Sequence, residues 1–326
     1  MSYPAYKFDH ENVMAKEKEG TMRNNQSDTH KPVLLEECIE NLKIKPNGVY
    51  LDATFGRGGH TREILEKLDD NGILWVLDRD PEAIVEANGM AKNDSRIKVL
   101  SGRFTDIDDK IPEGVQLDGA LFDLGISSPQ IDKADRGFSF QQDGPLDMRM
   151  NNEQGMSAAD WINRADKDEI VWVLENYGEE KKAQEIADKV IEVRNKKEIK
   201  MTKDLVEIIL ASIPNMQKGK HPATKSFQAI RMHINAELDE ISDGLPQVLA
   251  RLNKGSRLVI MSYHSLEHKI VSDVLKRTKG NERLFSSTSS LPRLRKIGNA
   301  IRSGRKELAN NRRARSALLR TWEVVK

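Results

Sequence analysis

The stretch Val49-Tyr-Leu-Asp-Ala-Thr-Phe-Gly-Arg-Gly-Gly-His60 decides how this chain folds. A short apolar run ends in a carboxylate, and a loop containing Gly56, Gly58 and Gly59 follows it. Glycine lets backbone pass close to a bound molecule without a Cβ clash, so the pattern reads as a strand turning through a ligand-binding loop into a helix. Upstream, Val33, Leu34, Cys38, Ile39 and Leu42 recur at helical spacing. Downstream, Ile64, Leu65 and Leu68 share one helical face, and Asn71-Gly72 ends that helix. Ile73-Leu-Trp-Val-Leu77 is the next strand, closed by Asp78-Arg-Asp-Pro81, and Pro81 suits the first turn of a helix running to Ala91. Ile97-Lys-Val-Leu100 and Leu117-Asp-Gly-Ala-Leu-Phe-Asp123 complete four strands with helices between them, which predicts βαβ units and a parallel sheet.

The alternation stops near Ile131. Helical patterns then dominate, over Ala158–Ala165, Lys167–Tyr177, Glu180–Asn195 and Thr202–Ser212. A further helix, Glu237–Leu252, precedes Ser256-Arg-Leu-Val-Ile-Met-Ser262, an apolar run able to rejoin the sheet, and the run Ser316–Val325 reads as a buried last strand. The expected organisation is an α/β domain in two pieces, residues 29–130 and 236–326, interrupted by an all-helical insertion over 131–235. The polar residues 1–28 lack an apolar core of the signal-peptide kind and are expected to form a disordered leader.

Of the 326 residues, 38% are hydrophobic and 32% charged, which suits a chain with a real core and a wetted surface. Cys38 is the single cysteine, so no intramolecular disulfide can form; with no membrane-length apolar run, the expected location is the cytoplasm. A net charge of +1 hides an asymmetry: Lys276 to Arg320 holds fourteen lysines and arginines against Glu282 and Glu307. Such a block suits a polyanion, a nucleic acid above all, although a solvated basic tail has the same composition.

In an open parallel sheet, ligands bind beyond the carboxyl ends of the strands. Here those ends carry Asp52, Asp78, Phe104 and Asp123. An aspartate at position 52 would repel a dinucleotide's pyrophosphate and attract an ammonium group. Asp78 stands where a carboxylate accepts hydrogen bonds from a ribose diol. Ammonium and ribose together describe S-adenosylmethionine, hence a methyltransferase; a nicotinamide-dependent oxidoreductase is the rival that the glycine loop alone would allow. Phe104 offers an apolar surface for adenine, or is a core aromatic beneath the loop. Asp123 leads into Leu124-Gly-Ile-Ser-Ser-Pro-Gln130, where a transfer enzyme holds its acceptor. An exocyclic base amine has its lone pair conjugated into the ring, so the site must realign it and accept a proton. Asp123, Ser127 and Ser128 are the candidate groups.

His264-Ser-Leu-Glu-His268 matches a zinc-peptidase pattern. It directly follows a strand rather than lying inside a helix, so a substrate-side loop or a structural cap is expected and no metal site. Arg136-Gly-Phe-Ser-Phe140 pairs a cation with two aromatics, which suits either RNA contact or packing between domains. Lys225 and Arg231 leave the same two alternatives open.

Together these segments resemble the bacterial 16S rRNA (cytosine-N4)-methyltransferase family. The resemblance runs from about His30 to Val325 and is carried by Asp52–His60, Asp78–Pro81, Asp123–Gln130, Arg136–Phe140, Asp143–Arg149, Tyr177–Glu180, His221–Thr224, Phe227–Ala229, His264–Glu267 and Asn311–Ser316. It implies a class I, Rossmann-like methyltransferase sheet with an inserted all-helical substrate-recognition domain, and methylation of a cytidine N4 amine in the decoding region of 16S rRNA in the small ribosomal subunit. It also implies cofactor contacts at Gly58, Gly59, His60, Asp78, Phe104, Asp123 and Gln130. Ala53 stands where the family often has glycine. A non-catalytic RNA-binding or assembly factor that keeps a cofactor pocket is the remaining alternative.

Overall fold

Strands β1 (Val49–Asp52), β2 (Ile73–Asp78), β3 (Ile97–Ser101) and β4 (Leu117–Asp123) lie parallel in the order β3-β2-β1-β4. Their register sets Asp52 beside Val76 and Leu121, and Asp78 beside Ser101, so the carboxylates at the strand ends collect along one edge of the sheet. The computed structural model describes residues 32–213, 221–277 and 291–325; the expected leader 1–28 lies outside them, as do Lys279, Glu282 and Arg283 of the basic block.

β5 (Leu252–Ser262) adds in parallel to β4, with Asp123 opposite Met261. β7 (Leu318–Val324) pairs antiparallel with β5 and with β6 (Leu294–Ile301), completing a seven-stranded sheet of order β3-β2-β1-β4-β5-β7-β6. The rejoining strand and the last strand are therefore where the apolar runs predict them. β6 has no apolar run: half of Leu294-Arg-Lys-Ile-Gly-Asn-Ala-Ile301 is exposed and only Leu294 is buried, as suits a charged edge strand.

Helices α1 (Leu35–Leu42), α2 (Gly59–Leu65), α3 (Pro81–Ala91) and the short α4 (Ile107–Lys110) and α5 (Ser128–Asp132) accompany the first four strands. Asp80 caps α3 by accepting from Glu82 N at 3.0 Å, with Pro81 in the first turn as expected. Because the sheet is covered on both faces, alternate residues enter different cores. Leu258 and Ile260 of β5 join one with Phe122, while Val259 and Met261 join the other with Leu121.

Between β4 and β5, α6 (Ala158–Arg164), α7 (Lys167–Gly178), α8 (Ala183–Arg194), α9 (Thr202–Ser212) and α10 (Ala223–Ile234) follow one another without a sheet strand, and α11 (Glu237–Ala250) leads back. They build a separate core around Trp161, Ile170, Leu174, Ile186, Ile209 and Phe227. α10 was not expected as a helix, although Phe227, Ile230 and Ile234 lie at helical spacing. At its end Asn235 donates to Met148 O and accepts from Met150 N, both at 2.7 Å, while Arg79 donates to Asn235 O at 2.8 Å. These bonds join the helical segment to the loop after β2. α12 (Ser265–Arg277) follows β5, and α13 (Arg305–Asn310) precedes β7. No helix among the described residues is long and apolar enough to cross a membrane.

Candidate active site

The strand order reverses between β1 and β4, and a cavity of about 920 Å³, counting its open mouth, lies beyond their carboxyl ends. Thr54 and Gly56 after β1, Asp78 after β2, Phe104 after β3, and Asp123 to Ser127 after β4 form its floor and sides. Glu237 and Glu240 of α11, with Tyr263 and Glu267 after β5, close it. Thr54 Oγ1 accepts from Asp123 N at 2.7 Å, which locks the first loop to the end of β4.

The lining is strongly acidic. It includes Asp78, Asp80, Asp123, Glu237, Glu240 and Glu267, with Arg79 as its one lysine or arginine. Four of these acids have cationic or imidazole partners. Asp80 pairs with Arg136 at 3.0 Å, Glu240 with Arg79 at 2.6 Å, Glu237 with Arg231 at 2.7 Å, and Glu267 contacts His264 at 2.8 Å. Asp78 and Asp123 instead meet uncharged donors. Asp78 accepts from Gly56 N at 2.8 Å and Asp80 N at 2.9 Å, and burial still lifts its carboxyl above the usual range. Asp123 accepts the Tyr263 hydroxyl at 2.8 Å; burial first, then the charges of Asp52 and Glu267, push its carboxyl up to about 7. A cavity whose two cation-free carboxylates are desolvated favours a ligand carrying positive charge and disfavours a pyrophosphate.

Asp52 is placed differently from its expected role. It is fully buried under the loop, accepting from Thr61 Oγ1 at 2.7 Å and Thr54 N at 3.2 Å, so it can act on a ligand through its field and not by contact. Burial raises its carboxyl to about 6. Gly58, Gly59, His60 and Ser128 lie outside the lining. Gly59 is required by the chain itself, since a Cβ there would stand 2.2 Å from Pro32 Cγ. His60 is buried with no hydrogen-bond partner at Nε2, and burial pushes its imidazole down to about 4. Phe104 lines the cavity and meets Phe122 edge-on at 5.2 Å. Gln130 lines the cavity with its amide engaged at both ends, donating to Asp80 at 2.8 Å and accepting from Ser127 N at 3.0 Å.

Sequence reasoning missed Tyr263 and the wall of glutamates. Tyr263 directly follows Ser262 at the carboxyl end of β5, a position that could have drawn attention to it. Glu237 and Glu267 become neighbours only through the return of α11 and α12. Burial alone would raise Glu267, but His264, the Tyr263 N–H and the Arg231 charge outweigh it and hold the carboxyl below the usual glutamate range.

Arg136 and Arg231 are taken up in packing, whereas Lys225 is exposed and keeps both of its alternatives. Arg136 is buried, donating to Asp80 and to the carbonyls of Arg149 and Met150, and Phe140 stacks on His221 at 4.6 Å beside Phe227. Lys225 donates to Glu179 O, and Arg231 is spent on Glu237.

A sheet of order β3-β2-β1-β4-β5-β7-β6 with β7 alone reversed, opening on an acidic cavity at its switch point, defines a class I methyltransferase fold. The chain belongs to the MraW methylase family, whose model matches residues 27–325. It is 46% identical over 314 residues to a ribosomal RNA small subunit methyltransferase H of Thioalkalivibrio sulfidiphilus, covering 93% of this chain and 99% of that one. The protein of the same name from Idiomarina loihiensis is 46% identical over 310 residues, covering 92% and 98%, and that from Neisseria gonorrhoeae 44% over 311, covering 93% and 98%.

Proposed function

We propose that this protein is a cytoplasmic, S-adenosylmethionine-dependent methyltransferase that methylates the exocyclic N4 amine of a cytidine in 16S rRNA of the small ribosomal subunit. The observation that carries this reading is the acidic cavity at the switch point, in which Asp78 and Asp123 have no cationic partner. Bound S-adenosylmethionine supplies an electrophilic methyl group on a positively charged sulfonium. Asp78 is assigned to the ribose hydroxyls and Phe104 to the adenine. Gln130 holds the wall between the cofactor and acceptor loops. Gly58, Gly59 and His60 stand behind the lining at the start of α2, with Gly58 N donating to Phe55 O at 2.7 Å; as the family resemblance implies, they are assigned to the methionine end of the cofactor. Asp123 is the base: it orients the amine and takes its proton, with Ser127, and less directly Ser128, supporting the acceptor loop.

The helical segment over 131–235 is assigned to substrate recognition, above the acceptor pocket. The basic block is assigned to the RNA backbone; Arg302, Arg305, Lys306 and Arg315 are exposed in its described part. The target nucleotide must leave its stack to reach Asp123.

Calorimetry tests the cofactor assignment. S-adenosylmethionine is expected to bind at one site and NAD not measurably; comparable NAD binding would overturn it. Gly244→Ala tests the adenine side, because its Cβ would stand 2.3 Å from Phe104 Cβ and 2.6 Å from the Phe104 carbonyl carbon. It should destabilise the fold by about 1–3 kcal/mol in a denaturant titration and weaken cofactor binding as Phe104 shifts. The acid–base assignment predicts a pH profile. A carboxyl raised to about 7 is protonated below that pH and ionised above it, so kcat/KM for methyl transfer should rise through pH 7 and level off. A flat profile between pH 6 and pH 8 would contradict this.

A further inference from the structure

His264 and His268 do not converge: His268 Nδ1 lies 2.5 Å from Ser262 Oγ, whereas His264 turns toward Glu237 and Glu267. The motif runs from the loop after β5 into the first turn of α12, and the ligating atoms of Glu237, His264 and Glu267 fall within 4.8 Å of one another. Two features make this trio a poor cation site. Both oxygens of Glu237 are already held by Arg231, at 2.7 and 2.8 Å. His264 Nδ1 accepts from Glu267 N at 3.4 Å, which in a neutral ring leaves the hydrogen on Nε2, the nitrogen a metal would need bare.

What the trio does hold is an acceptor that lines the cavity, Glu267, beside a donor just behind the lining, His264. Glu267 Oε2 is committed to Tyr263 N at 2.6 Å and His264 N at 3.3 Å, which leaves Oε1, with His264 Nε2 2.8 Å away. That contact is close but not aligned as a hydrogen bond, and Nε2 is buried with no other partner. A buried donor whose nearest acceptor is poorly aligned is incompletely satisfied and leaves room for a better-placed partner. The pair abuts the acceptor loop. A Cβ on Gly125 would stand 4.0 Å from Glu267 Oε1 and 3.5 Å from the Tyr263 ring, whose hydroxyl bonds Asp123.

The geometry points to Glu267 and His264 as the residues that distinguish cytosine from uracil at the acceptor site, Oε1 accepting the N4 hydrogen that is retained and Nε2–H donating to N3. This rests on the reading that a cytidine N4 amine is the acceptor. Cytosine presents a donor at N4 next to an acceptor at N3, whereas uracil presents an acceptor at O4 next to a donor at N3. Against this pair uracil would set acceptor against acceptor and donor against donor, leaving buried polar groups unmatched twice over. Asp123 faces the other N4 hydrogen, the one removed as the new N–C bond forms.

The test measures binding of the full-length protein, with S-adenosylhomocysteine present to prevent turnover, to a small-subunit RNA fragment carrying either cytidine or uridine at the target. The wild type should prefer the cytidine fragment by about tenfold or more. Glu267→Gln, which can turn an amide N–H toward the base, should erase or invert that preference. His264→Leu should lower kcat/KM on small subunits about ten- to a hundredfold with cofactor affinity unchanged, and His264→Gln, which keeps a donor, should restore most of it. An unchanged cytidine-to-uridine ratio in Glu267→Gln overturns the inference, as does stoichiometric Zn2+ binding by the wild type that this variant loses. If Glu267→Gln does not fold, equal kcat/KM in the two His264 variants overturns it. In all these cases a wild type that still methylates N4 leaves the parent reading intact; a wild type that methylates no cytidine amine removes the parent reading itself.

Discussion

Asp123→Asn is expected to reduce methyl transfer by about 10²–10⁴-fold, the usual worth of a positioned general base, while the protein stays folded and binds S-adenosylmethionine within a few-fold of wild type. The amide keeps an oxygen for the Tyr263 hydroxyl and fills the same space, so what is lost is the ability to accept the amine's proton. The effect should fall on kcat rather than on KM, since the proton moves only in the transition state. Single-turnover kinetics with labelled cofactor measures it directly. Transfer within threefold of wild type would remove Asp123 from the chemistry. Cofactor binding without transfer would also dispose of a non-catalytic role for the wild type, whose transfer would then depend on this one carboxylate.

The second large effect is on stability. Arg136→Ala should cost about 3–5 kcal/mol, the usual loss when one partner of a buried ion pair is removed, seen as a lower midpoint in denaturant. Arg136 Nη1 holds Asp80 at 3.0 Å, and its Nη2 donates to the carbonyls of Arg149 and Met150 at 3.1 and 2.8 Å. Asp80 in turn caps α3 and accepts Gln130, so the variant leaves a buried carboxylate without its cation beneath the acceptor loop. An Asp80→Asn, Arg136→Ala double variant should lose less than the two single variants together, because the stranded charge is gone. Strict additivity would show that the two side chains are not coupled.

Much of this architecture was legible in the sequence because its signals are local. The strand-loop-helix at Val49–His60 and the helix start at Pro81 each declare themselves within a dozen residues, and Thr202–Ser212 was delimited to the residue by its periodicity. Edge strand β6 was invisible because an edge with one covered side needs little apolar patterning, and its Arg295 and Lys296 looked like part of a basic tail. The same limit explains Arg136. Arginine followed by aromatics reads equally well as RNA contact or as packing, and the partner that decides it, Asp80, lies 56 residues upstream. At the site, the strand-end acids Asp78 and Asp123 could be read from position alone. Asp52 is sealed by its near neighbours Thr54 and Thr61, but that Tyr263 and Glu267 meet the acceptor loop depends on the return of β5 and α12, which no short-range pattern encodes.

The central claim is that this cavity delivers a methyl group to a cytidine amine of small-subunit RNA. Incubating the wild-type protein with labelled S-adenosylmethionine and small ribosomal subunits lacking the modification, then digesting the 16S rRNA to nucleosides, tests it most directly. The account predicts label in a single nucleoside, N4-methylcytidine, and none with Asp123→Asn. Label on a base carbon, on a ribose hydroxyl or on protein, or no label at all, would contradict it.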